Sequence, residues 1–415
     1  MAEVQTVTCV VNSYAEAMDA LKAPALRQAL YDAGARVMRD ALITLHGDAH
    51  RQRRIVEMGV FGRGFFRTYA REVFAPNLEQ VLAPYLAAGR ADVIELGFRL
   101  SMNLTADFAG IDRPANDIAE TESLLALVRK FSEGATLVHS TRDHALVNEE
   151  VDAAMAFFDQ HFFMPSIERR RRLINEAETA GTESLRLPRD VLTTLLKARE
   201  RIDLSMDVLR REMSFFLQAG AHSTTNSSAH ALHEILTWVG DDADRQARLG
   251  DADFVQRCVH ESLRLHPASP VAWRRAIEET RLGDRSLSID ELVEINLAGA
   301  NRDVTVFGPD ASTFNPDRQI PNGVWPWGLT FGYGMHACLG RDLDGGVISS
   351  RSTTPEDPQL GIVPTLVHEL LKAGAQWCAD DPPVADITTQ RSNWGRYPIQ
   401  FTNITNITSI TKRRT

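Results

Sequence analysis

The chain has 415 residues, of which 44% are hydrophobic, and this is enough to bury the core of a large globular protein. Its net charge of −10 at pH 7 argues against general binding to nucleic acid. The 4 cysteines are widely spaced and too few for a disulfide framework, so they favour a reducing compartment.

The absence of linkers, of a signal segment and of long apolar runs predicts one domain in the cytoplasm. No Pro/Gly/Ser-rich linker divides the chain, so we expect a single domain over residues 1–415, with a C-terminal tail over 402–415. The first five residues carry no signal segment, and no run of about 18 apolar residues occurs to span a bilayer. We therefore expect a cytoplasmic protein without a membrane partner. The basic run at residues 169–172 is typical of a solvated helix face.

The first charged pattern of interest is the segment HRQRR at residues 50–54. His50 and Arg54 are four residues apart, so they share one face of a helix. Two donors in this arrangement suit a single carboxylate group. Either residue alone is more typical of a surface salt bridge.

The middle of the chain predicts one long helix over about residues 205–239. This segment contains no proline, and its apolar residues recur at helical spacing. At its centre, residues 219–225 read AGAHSTT, and a glycine in mid-helix costs about 1 kcal/mol relative to alanine. The hydroxyl side chains can also bond back to the preceding turn. We therefore expect a groove here, with a packing or functional reason for Gly220.

The histidines of this helix offer a competing interpretation. His222, His230 and His233 are spaced to share one side of the helix, and the last two have a chelating spacing. No carboxylate or cysteine completes a recognisable ligand set. The sequence therefore does not favour a metal site on this helix.

A second helix is predicted over about residues 253–265. Glu261 and Arg264 lie three residues apart on one of its faces. Apolar neighbours such as Phe254 and Leu263 indicate a partly buried ion pair that needs further partners.

The most informative segment is residues 331–340, which read FGYGMHACLG. Gly332 and Gly334 permit backbone angles that other residues avoid, and they let the main chain pass close to a flat ligand. Cys338 follows this turn, and a helix that begins just after it would favour the thiolate and lower its pKa, as a metal ligand requires. His336 adds a polar or cationic group beside it. The alternative is a purely structural role, with a glycine-rich turn around a buried cysteine.

The order Gly-x-Gly-x-His-x-Cys-x-Gly resembles the haem-binding loop of the cytochrome P450 superfamily, in which the cysteine is the axial iron ligand. The resemblance covers about residues 10–345 in order and resumes weakly near residue 360. It implies a mainly α fold with small β-sheets, the cytochrome P450 fold, with a shortened N-terminal section. After Gly340 the family continues a long helix, whereas Gly345, Pro355 and Pro358 break it here, and a short helix returns over 364–372.

The resemblance also implies haem b, iron protoporphyrin IX, as the cofactor. Arg275 matches the family's arginine on the strand after the Glu-x-x-Arg helix. Glu261 and Arg264 match that Glu-x-x-Arg pair, which Arg318 of a later loop locks in a structural role. Haem contacts are implied for Cys338 as iron ligand and for His50, Arg54, Arg275, His336, Phe331, Gly332, Gly340, Ala219 and Gly220.

The implied activity is that of a monooxygenase, because a thiolate ligand favours O–O cleavage. One oxygen atom from O2 would enter a small organic substrate, with electrons from NAD(P)H through a ferredoxin reductase and a ferredoxin. Arg51, Arg53 and Arg341 form a basic patch for an acidic partner. The candidates for an apolar substrate pocket are Phe215, Phe216, Ala219, Val271 and Trp394.

One departure from the family concerns proton delivery. Most members place an acid and then a threonine after the glycine of the long helix, whereas this chain has His222 and Ser223. Serine can exchange hydrogen bonds, histidine can relay protons, and Thr224 is a further candidate. Two alternatives therefore stay open: a peroxide-driven or rearranging haem-thiolate enzyme, and a non-catalytic haem-binding protein of the same fold.

Overall fold

The computed structural model describes residues 7–115, 117–179, 187–202, 204–348 and 359–403. Most of these residues are helical, and the strands form small sheets, as the sequence predicts. In chain order the helices are α1 (Tyr14–Lys22), α2 (Ala35–Met38), α3 (Gly47–Glu57), α4 (Arg63–Tyr69), α5 (Ala75–Ala88), α6 (Val93–Ala109), α7 (Ile118–Ala135), α8 (His144–Phe158), α9 (Met164–Thr179), α10 (Val191–Lys197), α11 (Met206–Val239), α12 (Ala243–Arg248), α13 (Ala252–Leu265), α14 (Leu297–Ala300), α15 (Val304–Phe307), α16 (Arg341–Asp344) and α17 (Ile362–Lys372).

The strands pair into two larger sheets and two hairpins. They are β1 (Cys9–Val11), β2 (Leu26–Gln28), β3 (Arg90–Asp92), β4 (Val271–Ala276), β5 (Thr280–Leu282), β6 (Arg285–Leu287), β7 (Leu292–Asn296), β8 (Ala375–Trp377), β9 (Val384–Ala385), β10 (Trp394–Arg396) and β11 (Pro398–Phe401). The first sheet has the order β1-β7-β4-β2, with β1 parallel to β7 and the other pairs antiparallel. The second has the order β3-β11-β8, and β5-β6 and β9-β10 form the hairpins.

Helix α11 confirms the long helix predicted from the sequence. Ser205 caps it, because its hydroxyl accepts a hydrogen bond from the amide of Val208 at 3.3 Å. The helix is continuous through the segment where we predicted a groove. A Cβ atom added to Gly220 would lie 2.5 Å from Cγ2 of Thr105 on α6. The mid-helix glycine therefore has a packing reason, since it lets α6 and α11 approach closely.

The ion pair predicted on α13 is buried and extended by a third residue. Arg264 donates two hydrogen bonds to Glu261, at 2.8 and 2.7 Å, and is fully buried. Arg318, from the loop after α15, donates to the same carboxylate at 3.0 Å. Arg264 also donates to the carbonyl oxygens of Asn301 and Ala311, at 2.6 and 2.7 Å. This network ties α13 to the chain that leads to the cysteine segment.

The two ends of the chain follow the predicted pattern in part. Strand β1 is followed by a helix that Ser13 caps. Helix α16 ends at Asp344, just before Gly345, and α17 is closed by Gly374 at a φ of +74°. Pro355, Pro358 and residues 404–415, where the tail was expected, lie outside the described residues. In the described ranges, no helix has both the length and the apolar character that a membrane crossing needs.

The basic run on α9 is only partly a solvated face. Arg170 is buried and donates to Asp190 at 3.0 Å, beside Asp112, so it has a structural role. Arg169 also pairs with Asp112, at 2.6 Å.

Candidate functional site

A cavity opens between α11, strand β4, the segment 331–340 and the loop that joins β9 to β10. Most of the residues predicted at the site lie on its wall. They are His50, Arg54, Phe215, Phe216, Ala219, Gly220, His222, Ser223, Thr224, Val271, Phe331, Gly332, His336, Cys338 and Gly340. Arg275 and Trp394, which were also predicted there, are not on the wall.

The cysteine segment has the backbone that its glycines predict. Gly332 and Gly334 adopt φ values of +65° and +69°, in the left-handed region that favours glycine. A Cβ atom on Gly334 would lie 2.8 Å from the carbonyl oxygen of Leu21. The amide of Cys338 donates to the carbonyl oxygen of Phe331 at 2.8 Å and closes the turn. This hydrogen bond fixes the position from which the thiol faces the cavity.

The environment of the Cys338 thiol differs from the one expected. Its accessible surface opens into the cavity, and protein surrounds it otherwise. Burial raises its pKa to about 11, and the negative charge of Asp344 adds to this. The amide of Gly340 and the positive charges of Arg54 and Arg341 lower the pKa but do not offset burial. The expectation of a lowered pKa was therefore wrong for the free thiol, and deprotonation there would have to accompany metal binding.

Four nitrogen-bearing side chains surround one end of the cavity: His50, Arg54, Arg274 and His336. The rings of His50 and His336 meet edge to face, with their centroids 4.5 Å apart. Arg54 donates to the carbonyl oxygen of Ala337 at 2.6 Å. Both ring nitrogens of His336 are buried without a hydrogen-bond partner. Within the described ranges, no carboxylate forms an ion pair with Arg54 or Arg274.

Burial keeps the two histidines at this end of the cavity uncharged. It lowers the pKa of His50 to about 4, with a further contribution from the positive charge of Arg54. Burial also lowers the pKa of His336 and lowers that of Arg274 to about 10. At neutral pH the two histidines are neutral and the two arginines are charged. The site is therefore suited to a ligand that brings negative charge.

Arg274 takes the position that the sequence assigned to Arg275. Side chains alternate across a strand, and on β4 this directs Arg274 to the cavity, where only 3% of it is exposed. Arg275 lies on the other face, where it pairs with Asp32 at 3.5 Å and donates to the carbonyl oxygen of Asp290 at 2.8 Å. The packing of β4 decides between the two residues, because Arg274 shares its strand face with Ala276, which is fully buried.

Trp394 belongs to an aromatic cluster outside the cavity. Its ring centroid lies 5.2 Å from that of His233 and 5.3 Å from that of Tyr397. His233 in turn contacts the Tyr397 hydroxyl through Nδ1 at 3.0 Å, and His230 stacks on His266 at 4.5 Å. Trp394 is therefore removed from the substrate pocket. Among the described residues, no group of three or more His, Cys, Asp or Glu side chains is placed to hold a metal ion.

The residues at the proton-delivery positions have distinct partners. The Ser223 hydroxyl donates to the carbonyl oxygen of Ala219 at 2.6 Å, and the Thr224 hydroxyl donates to Asp344 at 2.7 Å. Burial lowers the pKa of His222 to about 4, so this histidine is neutral near pH 7. Burial also raises the pKa of Asp344 to about 6. Ser223 is therefore the hydroxyl at these positions that faces the cavity without a carboxylate partner.

The residues of the cavity wall that sequence reasoning missed include Tyr31, Arg274, Asp344 and Arg391. Asp344 is the last residue of the short helix α16 that follows the cysteine, so its spacing from Cys338 was a usable signal. Tyr31 and Arg391 lie far from any motif in the sequence, and only the fold brings them to the cavity.

Comparison with known proteins identifies the family. A family model described as cytochrome P450 matches residues 147–343. Pulcherriminic acid synthase of Bacillus subtilis is 24% identical over 319 residues, which cover 73% of this chain and 70% of that protein. The self-sufficient cytochrome P450 monooxygenase CYP505E3 of Phanerodontia chrysosporium is 29% identical over 156 residues, 32% of this chain but only 14% of that protein.

The fold agrees with these sequence matches. The crystal structure of CalO2 superposes with a TM-score of 0.73 at 20% identity, over 95% of this chain and 90% of the other. Fold, cysteine segment and sequence matches together place the protein: the chain belongs to the cytochrome P450 superfamily. Haem is the cofactor of this family.

Proposed function

We propose that the chain is a single-domain haem-thiolate monooxygenase that binds haem b in this cavity through Cys338. The observation that carries the proposal is the Cys338 thiol, which faces a cavity whose wall holds the half-buried Arg54 and the buried Arg274, neither of them in an ion pair with a carboxylate of the described residues. A cysteine beside a buried surplus of positive charge suits a metal complex that carries carboxylates.

The residues present fit haem b. Its two propionates would pair with the positive charges of Arg54 and Arg274, which have no carboxylate partner among the described residues. They would also offer acceptors for the unpartnered nitrogens of His336. Gly332 leaves room on the wall, because it has no side chain and a Cβ atom there would come no closer than 3.6 Å to the carbonyl oxygen of His336. When bound, the haem supplies the activation of O2 for insertion of an oxygen atom into a C–H bond.

The chain's own residues would position the substrate and handle the protons. Phe215, Phe216 and Val271 give the cavity an apolar wall that excludes water from a bound substrate. The Ser223 hydroxyl lines the cavity and could accept one hydrogen bond and donate another there, so it would be able to hold and move a proton at its oxygen. His222, the preceding residue on α11, is neutral near pH 7. Its ring can accept a proton, but the protonated imidazolium that would serve as an acid is not present at this pH.

We propose that electrons reach the site from NAD(P)H through a ferredoxin reductase and a ferredoxin. Arg51 on α3 is exposed, although it pairs with Asp48 at 3.1 Å, so it is accessible to an acidic partner. Arg341 is half-buried, pairs with Asp342 at 3.0 Å and stacks over Trp325 at 4.5 Å, so it is less accessible. Arg53 is not, because it is buried and donates to Glu212 at 2.6 Å. A cytoplasmic location is supported by the free thiols of Cys9, Cys258 and Cys378.

Replacement of Arg274 tests the haem assignment. We expect Arg274→Leu to accelerate haem loss about tenfold or more, because it removes a charged hydrogen-bond donor worth about 1.5–3 kcal/mol. Transfer of haem from the holoprotein to excess apomyoglobin gives this rate. Arg275→Leu is the matched control, since that side chain pairs with Asp32 on the other face of β4. Equal rates for the two variants would contradict the assignment of Arg274.

A specific observation keeps a peroxide-driven enzyme as the second candidate function. The position where the family places its acid holds a histidine that burial keeps neutral, and Thr224 already donates to Asp344. Ser223 is then the one remaining hydroxyl at the three proton-delivery positions, and it bonds to its own helix. An enzyme that receives its oxygen from peroxide does not need this proton delivery.

The Ser223→Ala variant distinguishes the two functions. In an O2-dependent monooxygenase we expect product per NAD(P)H oxidised to fall about tenfold or more, with the remaining oxygen released as peroxide or water. Replacing His222 and Ser223 with Asp and Thr should preserve or improve this ratio. Both quantities are measured with a substrate that shifts the haem absorption band.

Ser228→Ala provides the matched control for this comparison. The Ser228 hydroxyl also donates to its own helix, to the carbonyl oxygen of Thr224 at 2.8 Å, but it is buried away from the cavity wall. Unchanged coupling in Ser223→Ala would remove Ser223 from the mechanism. If product formation from added peroxide is also unaffected, the peroxide-driven function is favoured. A lack of O2 or NAD(P)H consumption with any ligand would instead favour a non-catalytic haem-binding protein.

A further inference from the structure

Arg391 is a half-buried cation, with two of its three guanidinium nitrogens fully buried, that neither the fold nor the haem assignment explains. It lies in the loop between β9 and β10 and lines the cavity, and its Nε and one terminal nitrogen are buried without a hydrogen-bond partner. Burial lowers its pKa, yet a guanidinium stays charged at neutral pH. A buried charge without a partner destabilises the protein unless a ligand supplies the opposite charge.

The loop that carries Arg391 is held in place on two sides. The amide of Gln390 donates to the carbonyl oxygen of His139 at 2.8 Å, and Ser140 bridges to Thr389. On the other side, the amide of Trp394 donates to the Asn226 side chain of α11 at 3.3 Å. Arg391 is therefore presented to the cavity by a fixed loop rather than by a free one.

Among the described residues, no carboxylate forms an ion pair with Arg391, and Asp386 of the same loop accepts hydrogen bonds from Thr388 instead. Of the described residues on the cavity wall, Asp344 is the only carboxylate, and it is engaged by Thr224 beside Cys338. The charge of Arg391 acts on Tyr31, His139 and His222, each of which is neutral at pH 7. An anion at this point would have to come from a bound molecule.

We propose that Arg391 binds a carboxylate group of the substrate, so that the enzyme oxidises organic acids. This inference rests on the proposed function, because it takes the cavity to hold both haem and substrate. The haem propionates are a second possible source of the carboxylate. Arg54 and Arg274 already offer one arginine to each propionate. The wall also includes Ser132 and Thr136, from the end of α7 that precedes the residues 139–140 contacting the Arg391 loop.

Binding of acids and their neutral analogues to the oxidised holoenzyme tests the proposal. The probes are straight-chain saturated fatty acids and ω-phenylalkanoic acids of increasing length, each compared with its own primary amide by titration calorimetry. We expect at least one acid to bind about tenfold or more tightly than its amide. In Arg391→Gln this preference should disappear through weaker binding of the acid, with little change for the amide. Arg391→Lys should retain part of it, because it keeps the charge but loses the two-pronged contact.

Arg396→Gln is the matched control. This arginine lies on the same hairpin but is exposed and donates to Asp381 at 2.8 Å, so the acid preference should stay at the wild-type level. The proposal is overturned if no acid is preferred by the wild type, or if Arg391→Gln keeps the preference. It is also overturned if Arg391→Gln loses haem to apomyoglobin as fast as Arg274→Leu, since Arg391 would then hold a propionate. None of these measurements needs turnover, so failure of the monooxygenase assignment remains a separate result.

A second measurement uses stability instead of binding. Without substrate, Arg391→Met should raise the melting temperature of the holoenzyme by about 1–2 °C, because it replaces an unpaired buried charge with an apolar side chain of similar length. A lower melting temperature would show that Arg391 has a structural partner and would overturn the proposal.

Discussion

The Cys338→Ser variant is expected to lose the thiolate signature of the haem completely. In the reduced wild-type protein, CO should produce a Soret band at the position typical of thiolate ligation. Serine keeps the shape of the side chain but is a poor soft ligand for iron, so the band should be absent and oxygen insertion undetectable. The difference spectrum of the reduced protein with and without CO checks this directly.

Cys378→Ser is the control for this prediction. Cys378 is 2% exposed and lies beyond β8, away from the cavity wall, so its loss should leave the band in place. A thiolate band of normal height in Cys338→Ser would show that another cysteine binds the iron, and the proposed site would be wrong.

The parts of the site that the sequence predicted are those that local spacing determines. Gly332 and Gly334 specify a turn that only glycine adopts readily, and Cys338 follows it at a fixed distance along the chain. In the same way, a separation of three positions places Glu261 and Arg264 on one face of a helix. His50 and Arg54 reach the cavity for the same reason.

The errors came from features that local spacing does not determine. Adjacent residues on β4 point to opposite faces, so a shift of one residue exchanged Arg275 for Arg274. Arg53 was predicted to contact a redox partner, but the fold buries it against Glu212, a residue distant in the sequence. The amide of Gly340 did not offset burial at Cys338. These outcomes depend on which surface each element packs against.

Arg391 shows the limit of sequence reasoning most clearly. In the sequence it is one arginine in a polar loop, QRSNW, without a periodic pattern or a motif. It becomes notable because contacts from residues 139–140 and from Asn226 hold its loop at the cavity, where its guanidinium finds no acid. Both facts require the positions of residues that are distant in the chain.

Loss of the buried ion network should prevent accumulation of the holoprotein. Glu261→Ala leaves the fully buried Arg264 without its carboxylate, and Arg264→Ala leaves Glu261 with a reduced set of donors. Breaking a buried pair in this way costs about 3–5 kcal/mol, out of a total stability of about 5–15 kcal/mol for most proteins. We expect little haem-loaded protein from either variant, measured as haem absorbance per mole of purified chain.

Lys372→Ala is the matched control, because Glu369 and Lys372 form an ion pair of the same spacing on α17. Its nitrogen lies 2.9 Å from the carboxylate, but the lysine side chain is 43% exposed. Such a pair contributes about 1 kcal/mol or less, so haem loading should match the wild type. If Glu261→Ala or Arg264→Ala instead accumulates as stable holoprotein and only turns over more slowly, the network acts on the reaction rather than on folding. Because Arg264 also holds the carbonyl oxygens of Asn301 and Ala311, its loss should be the more damaging of the two.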